Sequence, residues 1–206
     1  MSIGKLYIIS APSGAGKTSL VRQLMAEVDN LVVSISHTTR RIRPGESQGV
    51  DYYFVSPAEF QALLNNHELL EHALVFDNYY GTAKTTVEKT LNAGIDVILE
   101  IDWQGAQQIK SLCPDSLSIF ILPPSTAVLE QRLQNRGQDD DHVIARRMRA
   151  AVTEMSHYDE FDYILVNDRF ERALTELKSI IIANRLTKDR QQQNLKTLIT
   201  ALLSST

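Results

Sequence analysis

The chain has 206 residues, a formal net charge of −4, 43% hydrophobic and 22% charged residues, enough to bury one sizeable core and without overall attraction for nucleic acid or an anionic membrane. Cys113 is the only cysteine, which excludes an intramolecular disulfide or a cysteine metal cluster; it reads as a small core residue in a reducing compartment. No apolar run approaches membrane-spanning length and the opening MSIGKLYIIS lacks a signal-peptide pattern, so a cytoplasmic location is expected.

Short β-branched or apolar runs occur at residues 6–10, 31–36, 95–102, 117–122 and 163–167, with helical periodicity between most of them. This alternation predicts an α/β fold, a three-layer arrangement in which a parallel five-stranded core sheet is flanked by helices. After the first strand comes APSGAGKT, residues 11–18, then a helix with Leu20, Val21, Leu24 and Val28 on one buried face. A strand, a glycine-bearing loop and a helix opening with Lys-Thr form the context of a phosphate-binding loop. Backbone N–H groups from Gly14 to Thr18 can converge on the phosphates of a nucleoside triphosphate, Gly14 and Gly16 permit close approach, Lys17 reaches the β- and γ-phosphates, and the Thr18 hydroxyl contacts Mg²⁺. Ala11, Pro12, Ser13 and Ala15 complete the expected nucleotide contacts. The strict pattern has glycine in place of Ala11, and the cost of alanine depends on the backbone angle there.

Two segments interrupt the alternation. One is polar and arginine-bearing, at about 36–82, and carries Ser56-Pro57-Ala58-Glu59, a reciprocal cap that starts a helix running to about Asn66. The other is an arginine-rich helical pair at about 125–150, with Ser125 as a cap, Asp139, Asp140 and Asp141 as caps for its second helix, and a mobile joint at 137–141. Both read as inserts in a single domain spanning 4–185. Between them a helix should end at Gly94, and residues 186–206 form a helical tail. In that tail Leu195, Leu198, Ile199 and Leu202 share a face expected to pack on the chain's own core, with self-association as the alternative.

Beyond the loop stand SISHTTRRIRPGESQGVDYYF, LLEHALVFDNYYGT, LEIDWQG and RLQNRGQDDDHVIARRM. In this order, over residues 4–185, they resemble the bacterial type of guanylate kinase. The resemblance implies phosphoryl transfer from ATP to GMP with Mg²⁺. It implies that Arg40, Arg43, Tyr52 and Tyr80 hold the GMP phosphate, and Glu46 of the same motif is grouped with them; fixed guanidinium forks suit a dianion. It assigns guanine to Ser36, Glu71, Thr82 and Asp102. A carboxylate at Glu71 can accept from both N1–H and the exocyclic amine of guanine, whereas adenine offers an acceptor at N1; without the resemblance, Glu71 would read as a helix-terminal surface acid.

Glu100 and Asp102 lie two apart on one strand and share a face. Either could orient a Mg²⁺-bound water, and either could instead cap the helix near Trp103, itself read as a packing residue. Arg132, Arg136 and Arg147 match arginines of a lid closing over the triphosphate, with Arg146 and Arg149 facing solvent. Asn167-Asp168 resembles a segment near the adenine. Lys17, Arg40, Arg136 and Arg147 are the expected catalytic group, and no side-chain base is needed because the acceptor oxygen is already anionic. His37, His72 and His157 have no metal-site spacing. The alternatives are a non-catalytic guanylate-kinase-like module that binds phosphopeptides, a GTP-hydrolysing switch, which the missing NKxD motif disfavours, and an adenylate or pyrimidine nucleotide kinase, which Glu71 disfavours. The expected partners are therefore ATP and GMP, without nucleic acid or membrane.

Overall fold

A strand with no polar face opens the chain: in the computed structural model, which describes residues 3–135 and 141–204, every residue of β1 (Leu6–Ser10) is buried. Such a strand needs helices over both faces of its sheet. The glycine loop leads into α1 (Lys17–Glu27), which buries Leu20, Val21 and Leu24 as its periodicity predicts. β2 (Leu31–Val33) is shorter than the apolar run suggests. After Ser34, whose N–H still bonds the Ile98 carbonyl at 2.9 Å, the chain leaves the sheet.

The expected polar insert is a second sheet. It contains β3 (His37–Thr38), β4 (Tyr53–Phe54), α2 (Pro57–Asn65), β5 (Leu69–Val75) and β6 (Asn78–Ala83), with strand order β4-β3-β6-β5. The cap of α2 is present in full: Glu59 N–H donates to Ser56 Oγ at 3.2 Å and Ser56 N–H to Glu59 Oε2 at 2.7 Å. The β5–β6 hairpin turns at Phe76 (φ 46°) and Asp77 (φ 65°), left-handed positions usually marked by Asn-Gly. Without that glycine the hairpin leaves little local trace.

α3 (Lys84–Asn92) ends before Gly94, whose φ of 80° closes the turn. There follow β7 (Asp96–Glu100), α4 (Trp103–Leu112), β8 (Leu117–Leu122), α5 (Thr126–Gln134), α6 (Asp141–Met155), a 3₁₀ turn at Tyr158–Glu160, β9 (Tyr163–Val166), α7 (Phe170–Arg185), α8 (Lys188–Asn194) and α9 (Lys196–Leu203). The main sheet is five-stranded and parallel, in the order β2-β7-β1-β8-β9. Alternate residues of β1 face opposite cores: Tyr7 and Ile9 meet α1 and α7, while Leu6 and Ile8 meet residues of α3 and α4. A third cluster of Leu129, Leu133, Ile144 and Ala151 joins α5 to α6. The expected joint at 137–141 lies almost entirely outside the described residues, as do Asp139 and Asp140. Ser125 does cap α5, accepting from Val128 N–H at 3.2 Å.

The tail departs from expectation. Leu195, Leu198, Ile199 and Leu202 are 39%, 53%, 37% and 67% exposed, and none of the three clusters includes a residue of α9. The inner strands of the sheet are already covered on both faces, and α8 is held by charge at the start of β7. Asp96, 1% exposed, accepts from Arg185 Nε at 2.8 Å, from an Arg190 guanidinium N–H at 2.8 Å and from Lys5 N–H at 2.6 Å. Asp96→Ala leaves two guanidinium groups short of their partner. The expected loss is about 3 kcal/mol of stability, or about 9 °C in Tm by thermal melting. No helix among the described residues is long and apolar enough to cross a membrane.

Candidate active site

The carboxyl ends of β1 and β7 open into a cleft of about 700 Å³ between the phosphate loop and the second sheet. Gly14 and Gly16 both have φ of 94°, a left-handed backbone open to glycine at little cost. Ala11 is not among the residues of positive φ, so alanine there carries no such strain. The loop is held from behind. Asn167, 5% exposed, donates from Nδ2 to the Ala15 carbonyl at 2.7 Å. Arg132 donates to that carbonyl at 3.3 Å and to the Asn167 carbonyl at 3.1 Å. These two side chains therefore brace the loop and do not line the cleft, while Pro12, Ser13, Gly14, Lys17 and Thr18 do.

Thr18 Oγ donates to Glu100 Oε2 at 3.1 Å, bringing a hydroxyl and a carboxylate together at the loop. Asp102 lines the cleft as well. Its Oδ1 caps α4 by accepting from Gly105 N–H at 3.0 Å, and Oδ2 accepts from Gln104 at 3.1 Å. Among the described residues no group of three or more His, Cys, Asp or Glu could hold a metal ion.

The second sheet forms the opposite wall. Arg40 is clamped bidentately by Glu46, at 2.8 and 3.0 Å, and its guanidinium lies 5.3 Å from the Tyr52 ring centroid. The clamp holds the fork in one orientation, and its hydrogen bonds from Arg40 and Arg43 keep Glu46 below the usual carboxylate range against the effect of burial. Burial pushes the Tyr52 hydroxyl up to about 12, so it stays a neutral donor. Arg43 and Tyr80 share this wall.

Glu71 is no helix-terminal surface acid. It sits in β5, 3% exposed, where the pleat points it at the first turn of α4. Thr82 Oγ1 donates to its Oε1 at 2.6 Å, and Ser36 Oγ lies 3.4 Å from that hydroxyl. Burial pushes the carboxyl up to about 7, opposed by the Thr82 hydrogen bond. Ser36 and Glu71 line the cleft, with Thr82 packed behind them.

Arg147 faces the cleft from α6; Arg136 lies outside the described residues. Arg149 is exposed as expected, whereas Arg146, also exposed, reaches Asp77 of the hairpin at 2.9 Å. Trp103 packs, stacked on His157 at 3.6 Å between ring centroids. His37 stacks on Tyr53 at 4.8 Å. Cys113 is half-buried against the α3/α4 core. Glu154, also on α6, lines the same cleft and was not marked by any motif. Its one readable signal is a spacing of seven from Arg147, which keeps both on one helix face.

A phosphate loop at the end of a parallel sheet, an arginine and tyrosine wall facing it, and an overhanging arginine helix define a P-loop kinase acting between two phosphorylated compounds. Residues 3–184 match the family model described as guanylate kinase. The chain is 59% identical over 203 residues to a guanylate kinase of Methylococcus capsulatus, covering 98% of this chain and 100% of that one. It is 57% identical to one of Saccharophagus degradans, covering 98% of each. The structure is similar to a crystal structure of guanylate kinase from Anaplasma phagocytophilum, with a TM-score of 0.78 at 34% identity and 94% of each chain covered. The chain belongs to the guanylate kinase family.

Proposed function

We propose that this chain transfers the γ-phosphoryl group of ATP to the phosphate of GMP, giving ADP and GDP. The observation that carries the choice of acceptor is Glu71, a buried carboxylate in the same cleft as the phosphate loop. As a pure acceptor it complements the N1–H and exocyclic amine of guanine. Arg40, Arg43, Tyr52 and Tyr80 take the acceptor phosphate, and Ser36 and Thr82 fix Glu71. Glu46 holds Arg40 in orientation and shares it with the incoming dianion. Residues 36–82 are thus the acceptor insert and 125–150 the lid.

In the transfer, an anionic oxygen of the GMP phosphate forms a bond to the γ-phosphorus as the bond to the β-bridging oxygen breaks and ADP leaves. Lys17, Arg147 and, by its place in the motif, Arg136 balance the charge on the moving group. The Thr18 hydroxyl and the Glu100 carboxylate are hard oxygen donors side by side, a fit for Mg²⁺, which keeps several waters and takes one or two protein oxygens. When bound, Mg²⁺ would supply charge neutralisation on the triphosphate. Glu100 is the better candidate for its water shell, since both oxygens of Asp102 serve α4. Asn167 and Arg132 act on nucleotide binding through the loop they brace. The intact Lys17-Thr18 pair with Glu100 beside it supports an enzyme over a phosphopeptide-binding module. Cys113 as the only cysteine suits a cytoplasmic location.

An ADP-release assay with MgATP and each nucleoside monophosphate in turn tests the assignment. GMP-dependent ADP is expected; its absence overturns the activity, and equal use of AMP overturns the acceptor. A finer test uses Gly105, where an added Cβ would sit 2.5 Å from Glu71 Oε2. Gly105→Ala displaces that carboxylate and is expected to raise the GMP KM about tenfold. The ATP KM should stay within about twofold, because the loop is untouched.

A further inference from the structure

Arg147 and Phe76 both line the cleft, one on the lid helix α6 and the other at the tip of the β5–β6 hairpin. Arg146, one residue before Arg147 and so about 100° round the helix, joins them. It donates a guanidinium N–H to Asp77 Oδ2 at 2.9 Å, and its Cζ lies over the Phe76 ring, 5.8 Å from the centroid. Phe76 and Asp77 are the two turn residues of the hairpin, between the paired Val75 and Asn78. The lid helix thus holds the tip of the acceptor sheet by charge and by a ring face.

Each end of this contact is fixed to one half of the site. At the hairpin, Asn78 Nδ2 donates to the Phe76 carbonyl at 2.8 Å. Its strands carry Glu71 and Tyr80, and Tyr79 exchanges hydrogen bonds of 2.9 and 3.1 Å with Thr39, the neighbour of Arg40. On the lid, Ile144 and Ala151 of α6 pack with Leu129 and Leu133 of α5. Those leucines lie against the phosphate loop: a Cβ on Gly14 would stand 3.0 Å from Leu129 Cδ1 and 3.1 Å from Leu133 Cδ2. The Arg146 contact therefore completes a chain from the acceptor wall, through the lid, to the loop that holds the triphosphate.

Magnitude decides what such a contact can do. The Arg146 and Asp77 side chains are 58% and 78% exposed, and an exposed ion pair changes an equilibrium constant by at most about fivefold. That is too little to set the fold and enough to bias closure between two arrangements of a lid. We propose that Arg146 is a positioning residue whose contact with Phe76 and Asp77 is a latch: through it the acceptor sheet and the lid close together, so that nucleotide bound at one site favours binding at the other. The inference rests on the reading of the cleft as one that takes ATP and GMP together. Its rival is a surface ion pair without influence on either ligand.

GMP is titrated calorimetrically with and without a saturating Mg²⁺ complex of the β,γ-imido analogue of ATP, whose terminal group does not transfer. The proteins are wild type, Arg146→Gln, Asp77→Asn and the double variant. Asn tolerates the left-handed turn and Gln suits a helix; thermal melting shows that all are folded. Direct repulsion between the two bound phosphate groups is common to all four proteins and cancels in the comparison. The ratio of GMP dissociation constants without and with the analogue is expected to fall about threefold to fivefold in Arg146→Gln and about twofold in Asp77→Asn. The double variant should fall no further than Arg146→Gln, because both changes break one contact. GMP affinity without the analogue should stay within about twofold of wild type. The latch is overturned by a ratio for Arg146→Gln within about 1.5-fold of wild type, by effects that multiply in the double variant, or by a loss of GMP affinity that is equal with and without the analogue. Absence of GMP binding by the wild-type chain is a distinct result: it counts against the acceptor assignment and removes the latch with it.

Discussion

Lys17→Ala is expected to lower kcat for GMP phosphorylation by about 10³ or more, a loss of roughly 4 kcal/mol of transition-state stabilisation. Lys17 is the first residue of α1, directly after Gly16 at φ 94°, so its stem starts where the loop N–H groups converge. Its charge acts on the carboxyl groups of Glu71 and Glu154, and all three residues line the cleft. Catalysis without a side-chain base relies on such charges being in place before the phosphoryl group moves. Lys17→Arg should not restore the rate, because a planar fork does not replace a compact point charge in a tight loop. A coupled ADP-release assay on protein shown folded by thermal melting checks both variants. A kcat for Lys17→Ala within about threefold of wild type would remove Lys17 from the catalytic group.

Glu71→Gln is expected to lower kcat/KM for GMP by about 10³ to 10⁴ while MgATP affinity changes by less than about threefold. The Thr82 hydroxyl already donates to Oε1, so in the proposed complex it is the second oxygen that takes the base. An amide group there turns a donor toward guanine donors. The pH dependence follows from the carboxyl being pushed up to about 7 by burial. Below that pH the free protein carries a proton that must leave before both guanine N–H groups can be accepted. GMP affinity should therefore rise between about pH 6 and pH 8 and level off above. In Glu71→Gln the only rise left is the second ionisation of the GMP phosphate, near pH 6. Identical pH profiles for the two proteins would mean that Glu71 does not titrate on binding. Stability runs the other way: a carboxyl raised from its unfolded value favours the fold while protonated, and that contribution fades as the pH rises through about 7.

Much of this was open to sequence reasoning wherever the physics is local. The phosphate loop could be read because two glycines, a preceding buried strand and a helix start are neighbours in sequence. The capping box at Ser56 and Glu59 and the cap at Ser125 follow from contacts within one helical turn. The three inner strands announce themselves as apolar runs because a sheet covered on both faces leaves no polar alternation; the edge strands β2 and β9 are apolar in sequence although Val32, Tyr163, Ile164 and Val166 are exposed. The four-stranded second sheet was hidden for the opposite reasons: strands of two residues at β3 and β4, and a hairpin turn without glycine.

Within the site, sequence determined which chemistries were present: a phosphate loop with Lys17 and Thr18, an arginine and tyrosine group, and a set of acids. Tertiary structure decided what each acid does. Asp102 caps α4, Glu100 meets Thr18, Glu71 is buried against α4 from a strand 34 residues earlier than Gly105, and Glu154 lines the same cleft as Ser13, 141 residues before it. It also decided that Asn167 and Arg132 brace Ala15, and that the apolar face of α9 stays exposed once both sides of the inner strands are covered. Local backbone preference acts over a few residues and can be read along the chain. The solvation and pairing of a charge depend on what the fold packs around it, and those neighbours come from distant segments.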